Sequence, residues 1–240
     1  MTLVIAMDGP SGSGKSSVSK GVARALGLRY LDTGAMYRAM TWWMLREGVP
    51  VDDPAAVAAR SGEPELVCGT DPGHPVITVD GMDVSGPIRA QEVTGAVSAV
   101  AAVQAVREHL VALQRQIIGD GGIVVEGRDI GTVVAPDAPV KIYLTASAEA
   151  RAQRRNRELA GATVSATQAD MARRDRLEST RKADPLAQAA DAIALDTTSL
   201  ALDEVIAEVV RITKDNTAEA GDSAQRARSL VGEPLGEERT

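Results

Sequence analysis

One stretch of eight residues limits what this chain can fold into more than any other. Gly9-Pro10-Ser11-Gly12-Ser13-Gly14-Lys15-Ser16 fits the pattern G-x-x-x-x-G-K-[ST] without a mismatch. The apolar run Leu3–Met7 before it reads as a buried strand. Lys15–Leu26 after it reads as a helix, with Val18, Val22, Ala25 and Leu26 at helical spacing and Gly27 as its stop. Glycines in such a turn let successive backbone N–H groups curl around a phosphate, and the helix adds its positive N-terminal end. Lys15 can then reach the β and γ phosphates, and the Ser16 hydroxyl can ligate Mg²⁺. The bland alternative is a Gly/Ser-rich turn, and the flanking strand and helix weigh against it. The expected phosphate-binding segment is Gly9 through Ser17.

Strand and helix keep alternating beyond this loop. Leu28–Leu31 is a second short strand, Ala35–Glu47 a helix closed by Gly48, and Ile123–Val125 and Val140–Leu144 are further apolar strands. Helices are expected at about 147–159 and 167–182, a last strand at Ala192–Leu195 and a last helix at Leu202–Ile212. Gln91–Ile118 lacks Pro and reads as one long helix or as two with a bend. Such alternation predicts an α/β fold in three layers, a parallel sheet with helices on both faces. Residues 49–90 break the rhythm with repeated Pro and Gly, and Val76–Val79 and Met82–Val84 flank Asp80-Gly81, a hairpin signal. They are expected to form a small, partly β insertion. From about Lys214 the chain is polar, without aromatics or clear periodicity, so 1–213 is the expected domain and 214–240 an expected disordered tail.

Composition narrows the function classes. With 44% hydrophobic residues and no Phe, the core must be built from Val, Ile, Leu, Ala and Met, which suits buried parallel strands. Trp42 and Trp43 read as packing residues. Cys68 is the single cysteine and reads as a small buried residue, so no intramolecular disulfide is expected, in keeping with a reducing cytoplasm. The N-terminus has neither a basic n-region nor an apolar run long enough for a signal peptide, and no stretch is long enough to span a membrane. A net charge of −7 argues against general nucleic-acid binding. The charge is uneven, however. Residues 151–182 carry Arg151, Arg154, Arg155, Arg157, Arg173, Arg174, Arg176, Arg181 and Lys182 against Glu158, Asp170, Asp175 and Glu178. A segment of about +5 on an acidic protein points to a small anionic ligand.

The loop alone leaves the chemistry open. A GTPase would carry an N-K-x-D element, and none is found. An oligomeric ATPase would have a longer apolar strand ending in acids. The nearest equivalent is Ile123-Val124-Val125-Glu126, where Glu126 either holds Mg²⁺, directly or through water, or is an acid at a solvated strand end. His74 and His109 are isolated and are not expected to bind metal.

Longer pieces are more specific. DGPSGSGKS at 8–16, LDTGAMYR at 31–38, DGMDVSGPIRAQEV at 80–93, VSAVAAVQAVRE at 97–108, EGRDIGTVVAPDAPVKIYLTAS at 126–147 and RDRLESTRKADPL at 174–186 together resemble the bacterial cytidylate kinases. The resemblance spans about 1–212 in the family's order. It implies an ATP-dependent nucleoside monophosphate kinase acting on CMP or dCMP with Mg²⁺. It also implies that the insertion binds the nucleotide acceptor and that a helical lid over about 150–182 closes on ATP. ATP would lie on Gly9, Pro10, Ser11, Gly12, Ser13, Gly14, Lys15, Ser16 and Ser17, with Arg155 from the lid. In the acceptor pocket the resemblance has Asp32 contacting or orienting the sugar, Thr33 on the phosphate side, Tyr37 among the CMP-binding residues on the first turn of the helix, Arg38 and Arg107 on the phosphate with Arg128 assisting, and Ser98 and Asp129 on the cytosine edge. Arg174, Glu178 and Arg181 come from the lid, and Lys15, Arg128, Arg174 and Arg181 are the expected catalytic cations.

Residue chemistry agrees with these roles. A carboxylate such as Asp129 accepts from cytosine's exocyclic amino group and disfavours uracil's carbonyl. The Arg fork suits a dianionic phosphate. Bland readings stand beside them: Asp32 as a helix N-cap, Arg107 as an exposed partner on a long helix, several lid arginines as a solvated basic face. Glu178 departs from the family, which often has Asp there. The partners expected are ATP and CMP or dCMP for a cytoplasmic monomer, with neither nucleic acid nor membrane. A different P-loop kinase and a nucleotide-binding switch are the competing readings.

Overall fold

The computed structural model describes residues 3–158 and 164–231, and the Gly161 connection lies outside them. Strand β1 (Val4–Asp8) leads into the phosphate loop and α1 (Lys15–Leu26); β2 (Arg29–Asp32) leads into α2 (Thr33–Arg46). Then follow α3 (Pro54–Arg60), β3 (Leu66–Cys68), β4 (Ile77–Val79), β5 (Met82–Asp83), α4 (Gln91–Val100) and α5 (Gln104–Ile118). Next come β6 (Ile123–Glu126), a π-helical turn (Ile130–Val134), β7 (Val140–Thr145), α6 (Ala148–Glu158), α7 (Val164–Thr180), β8 (Ile193–Asp196) and α8 (Leu202–Val231).

The main sheet is parallel in the order β2-β6-β1-β7-β8. Its strands are apolar runs because both faces are covered. Side chains alternate along β1: Ile5 and Met7 pack with Val22 of α1 and Val205 and Val209 of α8, while Ala6 faces Met36, Met40 and Leu110 on the other side. Asp32 and Met7 both lie level with Glu126 in the register, so the ends of β1, β2 and β6 deliver their last residues to one edge. Ligands of open parallel sheets bind at that carboxyl edge, where the strand order reverses.

The segment between α2 and α4 is the expected small insertion, with an antiparallel sheet β3-β4-β5. Asp80 (φ 50°) and Gly81 (φ 78°) make its hairpin turn with both residues left-handed, the primed turn their types favour. Trp43 is buried and its indole N–H donates to Asp80 at 3.0 Å, pinning the insertion to α2. Residues 91–118 form two helices bent by 99° where Val103 leaves helical geometry and buries.

One expectation is corrected. The chain beyond Lys214 is not structureless: α8 continues to Val231. Ile212 and Thr213 are buried, and Arg211 pairs with Glu208 and Asp215 along one helical face, so the helix is still packed and paired where the tail was expected to begin. Residues 232–240 lie outside the described residues. Among the described residues no single helix is long and apolar enough to cross a membrane.

Candidate active site

The phosphate loop owes its shape to close approach. A side chain at Gly9 (φ 145°) would put Cβ 2.1 Å from the Leu144 carbonyl oxygen, so only glycine fits against β7. The Lys15 ammonium donates to the Gly9 and Pro10 carbonyls at 2.7 and 2.8 Å, curling back into its own loop. Burial, and after it the charge of Arg128, pulls this ammonium well below the usual lysine range. Ser16 Oγ donates to Glu126 Oε1 at 2.7 Å, and the Tyr30 hydroxyl donates to the same oxygen at 2.6 Å. Glu126 Oε2 is buried without a hydrogen-bond partner among the described residues. Burial, then the nearby Asp32, pushes the Glu126 carboxyl upward. A hydroxyl and a carboxylate oxygen with spare lone pairs, side by side under the loop, suit a hard divalent cation such as Mg²⁺.

One cleft joins this loop to the rest of the expected site. It is lined by Ser11, Gly12 and Gly14–Ser17 at one end and by Ser98, Arg107, Asp129 and Arg181 at the other. Asp32, Thr33, Tyr37, Arg38, Glu126, Arg128, Arg155, Arg174 and Glu178 line the stretch between. Gly9, Pro10 and Ser13 shape the loop from behind. Asp32 lines the cleft, and as the N-cap of α2 its carboxylate accepts from Ala35 N–H at 2.9 Å. Thr33 donates its hydroxyl to the Glu126 carbonyl at 2.7 Å.

The middle of the cleft is crowded with cations. Arg38 donates to the Ile88 carbonyl and to Thr94 Oγ1. Its guanidinium is pushed down to about 10 by burial, then by Arg174 and Arg155, with Arg89 adding to them. Burial likewise lowers Arg174, whose Nε is buried without a partner among the described residues. Glu178 accepts from Arg128 Nε at 2.6 Å and lies 3.6 Å from Arg174 Nη2. Burial alone would raise Glu178, yet these two arginines hold it below the usual range. Arginines crowded this closely suit an anionic ligand, which would relieve their mutual repulsion.

At the far end, Arg107 is almost fully buried. It pairs with Asp129 through Nη2 and with Asp184 through Nε at 2.6 Å, and it lies 5.5 Å from the centre of the Tyr37 ring. It is therefore not an exposed helix partner. Arg181 donates through Nε to the Asp184 carbonyl at 2.7 Å and approaches Asp129 at 3.7 Å. Burial outweighs these cations and leaves the Asp129 carboxyl raised. Ser98 Oγ faces this end, buried and without a hydrogen-bond partner among the described residues.

Helices α6 and α7 contact the phosphate loop. Asp175 accepts from Arg151 Nη1 at 2.5 Å and from Ser11 N–H at 3.3 Å, and Arg151 also reaches the Ser11 carbonyl. Arg154 donates to the Thr197 hydroxyl and carbonyl and, at 3.4 Å, to the Ser13 carbonyl of the loop. The side chain of Arg157 lies outside the described residues. Sequence reasoning missed Arg89, Asp184 and Leu177. Arg89 ends the DVSGPIR segment and lines the cleft, and Leu177 lines it from α7. Asp184 holds a left-handed backbone (φ 45°), a signal no sequence pattern carries.

Comparison with known proteins bears on this cleft. Residues 5–215 match the cytidylate kinase family. A cytidylate kinase from Streptomyces coelicolor is 60% identical over 218 residues, covering 90% of this chain and 94% of that protein. One from Nocardia farcinica is 60% identical over 215 residues, covering 88% and 93%. One from Mycobacterium leprae is 52% identical over 221 residues, covering 90% and 97%. Among solved structures, an uncharacterized protein from Eubacterium ventriosum shares the fold with a TM-score of 0.50 at 12% identity, over 89% of this chain and 99% of that one.

Proposed function

The chain belongs to the cytidylate kinase family, and we infer that it transfers the γ-phosphoryl group of ATP to CMP or dCMP, giving ADP and CDP or dCDP. The observation that carries this reading in the structure is the continuity of the cleft. The phosphate loop, a cluster of arginines and a buried Asp–Arg pair all line one cleft, which supports a reading of them as sites for donor phosphates, acceptor phosphate and acceptor base.

The donor's phosphates lie on the loop amides, and Lys15 leaves its own carbonyls to reach the β and γ oxygens. Ser16, with Glu126 directly or through water, would hold Mg²⁺, which neutralises phosphate charge when bound. Arg38, Arg128 and Arg174 take the acceptor phosphate, and Arg155 reaches over the transferred group from the lid. Glu178 aims Arg128 and Arg174. Asp32, Thr33 and Tyr37 form the wall at sugar and phosphate, and Arg181 closes it from the lid.

Asp129 and Ser98 read the cytosine edge. The donors of Arg107 are engaged by Asp129 and Asp184, so it fits the anchoring of Asp129 better than the expected role on phosphate. A buried carboxylate that accepts favours cytosine's amino group over uracil's carbonyl. The acceptor phosphate is ionised near neutral pH, so no strong base is needed. Phosphoryl transfer then rests on in-line placement and on cations spread around the moving group. The lid excludes water, the competing acceptor.

The same reading has the enzyme acting as a cytoplasmic monomer on free nucleotides in pyrimidine metabolism. Turnover measured with ATP, Mg²⁺ and, in turn, CMP, dCMP, UMP, AMP and shikimate tests it. CDP and dCDP formation well above the others is expected. A preference for AMP or shikimate would discard it.

A further inference from the structure

We propose that Asp8, the residue just before the phosphate loop, is a positioning residue for the acceptor end of the site: it fixes the Arg128-Asp129 turn against the donor loop. The proposal rests on the reading that Asp129 recognises the acceptor base.

Arg128 and Asp129 lie between two anchors, and consecutive residues of β1 supply both. Before them, Gly127 N–H donates to the Met7 carbonyl at 3.0 Å. After them, the Asp8 carboxylate accepts from Ile130 N–H at 2.9 Å through Oδ1 and from Gly131 N–H at 2.8 Å through Oδ2. These two amides open the π-helical turn, where the backbone leaves regular geometry and cannot satisfy them internally. Asp8 is 5% exposed and lies outside the cleft lining, so it acts through the backbone and not on substrate. The fit is close: a Cβ at Gly131 would stand 3.4 Å from Asp8 Oδ2 and 3.2 Å from Lys141 Cδ. Asp8 is also bonded in sequence to Gly9, itself locked against Leu144. One rigid strand end thus sets the spacing between donor phosphates and the residue that reads the acceptor, and small displacements in such a site cost much of the rate.

Asp8→Asn keeps the shape but offers one acceptor oxygen and turns an NH₂ toward the second amide. The expected result is a KM for CMP raised roughly tenfold and a CMP-over-UMP preference reduced by a similar factor. The KM for ATP should stay within about twofold. Unchanged CMP kinetics and preference with only a lower melting temperature would reduce Asp8 to a structural anchor and overturn the proposal. So would a KM for ATP that rises in step with that for CMP. If Asp8→Asn does not fold, Asp8→Ser, which keeps a single acceptor oxygen on a smaller side chain, decides between the same outcomes. Asp129→Ala is measured in parallel. If it leaves the CMP-over-UMP preference intact, base reading by Asp129 fails, and this proposal with it. If that preference collapses while Asp8→Asn is silent, only the proposal fails.

Discussion

Ser16 Oγ donates to Glu126 Oε1 at 2.7 Å, tying the first turn of α1 to the end of β6. A hydroxyl that spends its hydrogen on a carboxylate turns its lone pairs outward, and Glu126 Oε2 is left buried and unpartnered among the described residues. The pair is therefore prepared for a cation. Glu126→Gln is expected to raise the Mg²⁺ concentration needed for half-maximal turnover by roughly tenfold and to lower kcat by a similar factor. Mg²⁺ titrations at fixed ATP check it. An unchanged requirement would return Glu126 to a purely structural role with Tyr30.

Lys15 has two partners in its own loop and a third contact at Ser13 Oγ, 3.4 Å away. Its charge is buried and only partly balanced. Lys15→Ala is expected to cost about 10²–10³ in kcat by removing a cation from the transferring phosphates. The melting temperature should change little or rise, because a buried charge is removed along with its bonds. Steady-state rates and thermal melts on one preparation separate the two effects.

Arg107 and Asp129 behave as a unit with Asp184. Arg107→Ala would leave Asp129 buried, with Arg181 at 3.7 Å as its remaining cation. Breaking such a pair costs about 3–5 kcal/mol of stability. Asp129→Ala should hurt CMP more than UMP. The double change should cost less than the sum of the single ones, since each single change strands a charge. Chemical denaturation of all three variants checks the coupling; strict additivity would dissolve the unit.

Much of this was legible in the sequence because the signals are local. The GPSGSGKS loop, the limits of α1, the Asp80-Gly81 hairpin and the alternation of strand and helix depend on neighbours within a few residues. The cleft was legible only as a set of residue types, and the resemblance supplied their grouping. What could not be read is what joins distant positions. The anchoring of Arg107 links residues 22 and 77 positions apart, and the two amides that Asp8 holds lie 122 and 123 positions away. The outer half of α8 was missed for another reason: its sequence lacks apolar periodicity, and it continues from a helix that has it.

Buried carboxylates set a pH dependence with a definite sign. Burial raises Asp8 to about 6, and it raises Asp129 and Glu126 as well. A carboxyl whose folded pKa lies above its unfolded one keeps its proton in the folded state while the unfolded chain has released it. Its stability contribution is thus complete below the unfolded value and is lost as pH rises through the folded one. The ligand-free protein should lose stability between about pH 4 and 7 from Asp8 and Glu126, with Asp129 acting in the same direction, and bound Mg²⁺·ATP should offset part of the loss as Glu126 ionises. Thermal melts across that range, with and without nucleotide, measure it. A ligand-free stability that climbs steadily to pH 7 would contradict the assignment.

Helices α6 and α7 leave no room for a side chain at Gly12 of the phosphate loop. Gly12 has φ 73°, and a Cβ there would come within 2.6 Å of Met171 Cε and 2.9 Å of the Arg151 carbonyl oxygen. Met171 is buried against the loop. The first clash is with the end of a flexible side chain and can be relieved; the second is with backbone and cannot be relieved without moving α6. Gly12→Ala should therefore prop the lid away from the loop and add the left-handed backbone penalty of about 1 kcal/mol. The expected result is a kcat/KM for ATP lowered at least about tenfold, with ATP hydrolysis to water rising relative to CMP phosphorylation as the site loses its cover. Met171→Ala on the Gly12→Ala background discriminates the causes. If it restores most of the activity, Met171 alone held the lid apart. If activity stays low, the Arg151 backbone contact and the strained loop carry the effect, as the 2.9 Å approach indicates.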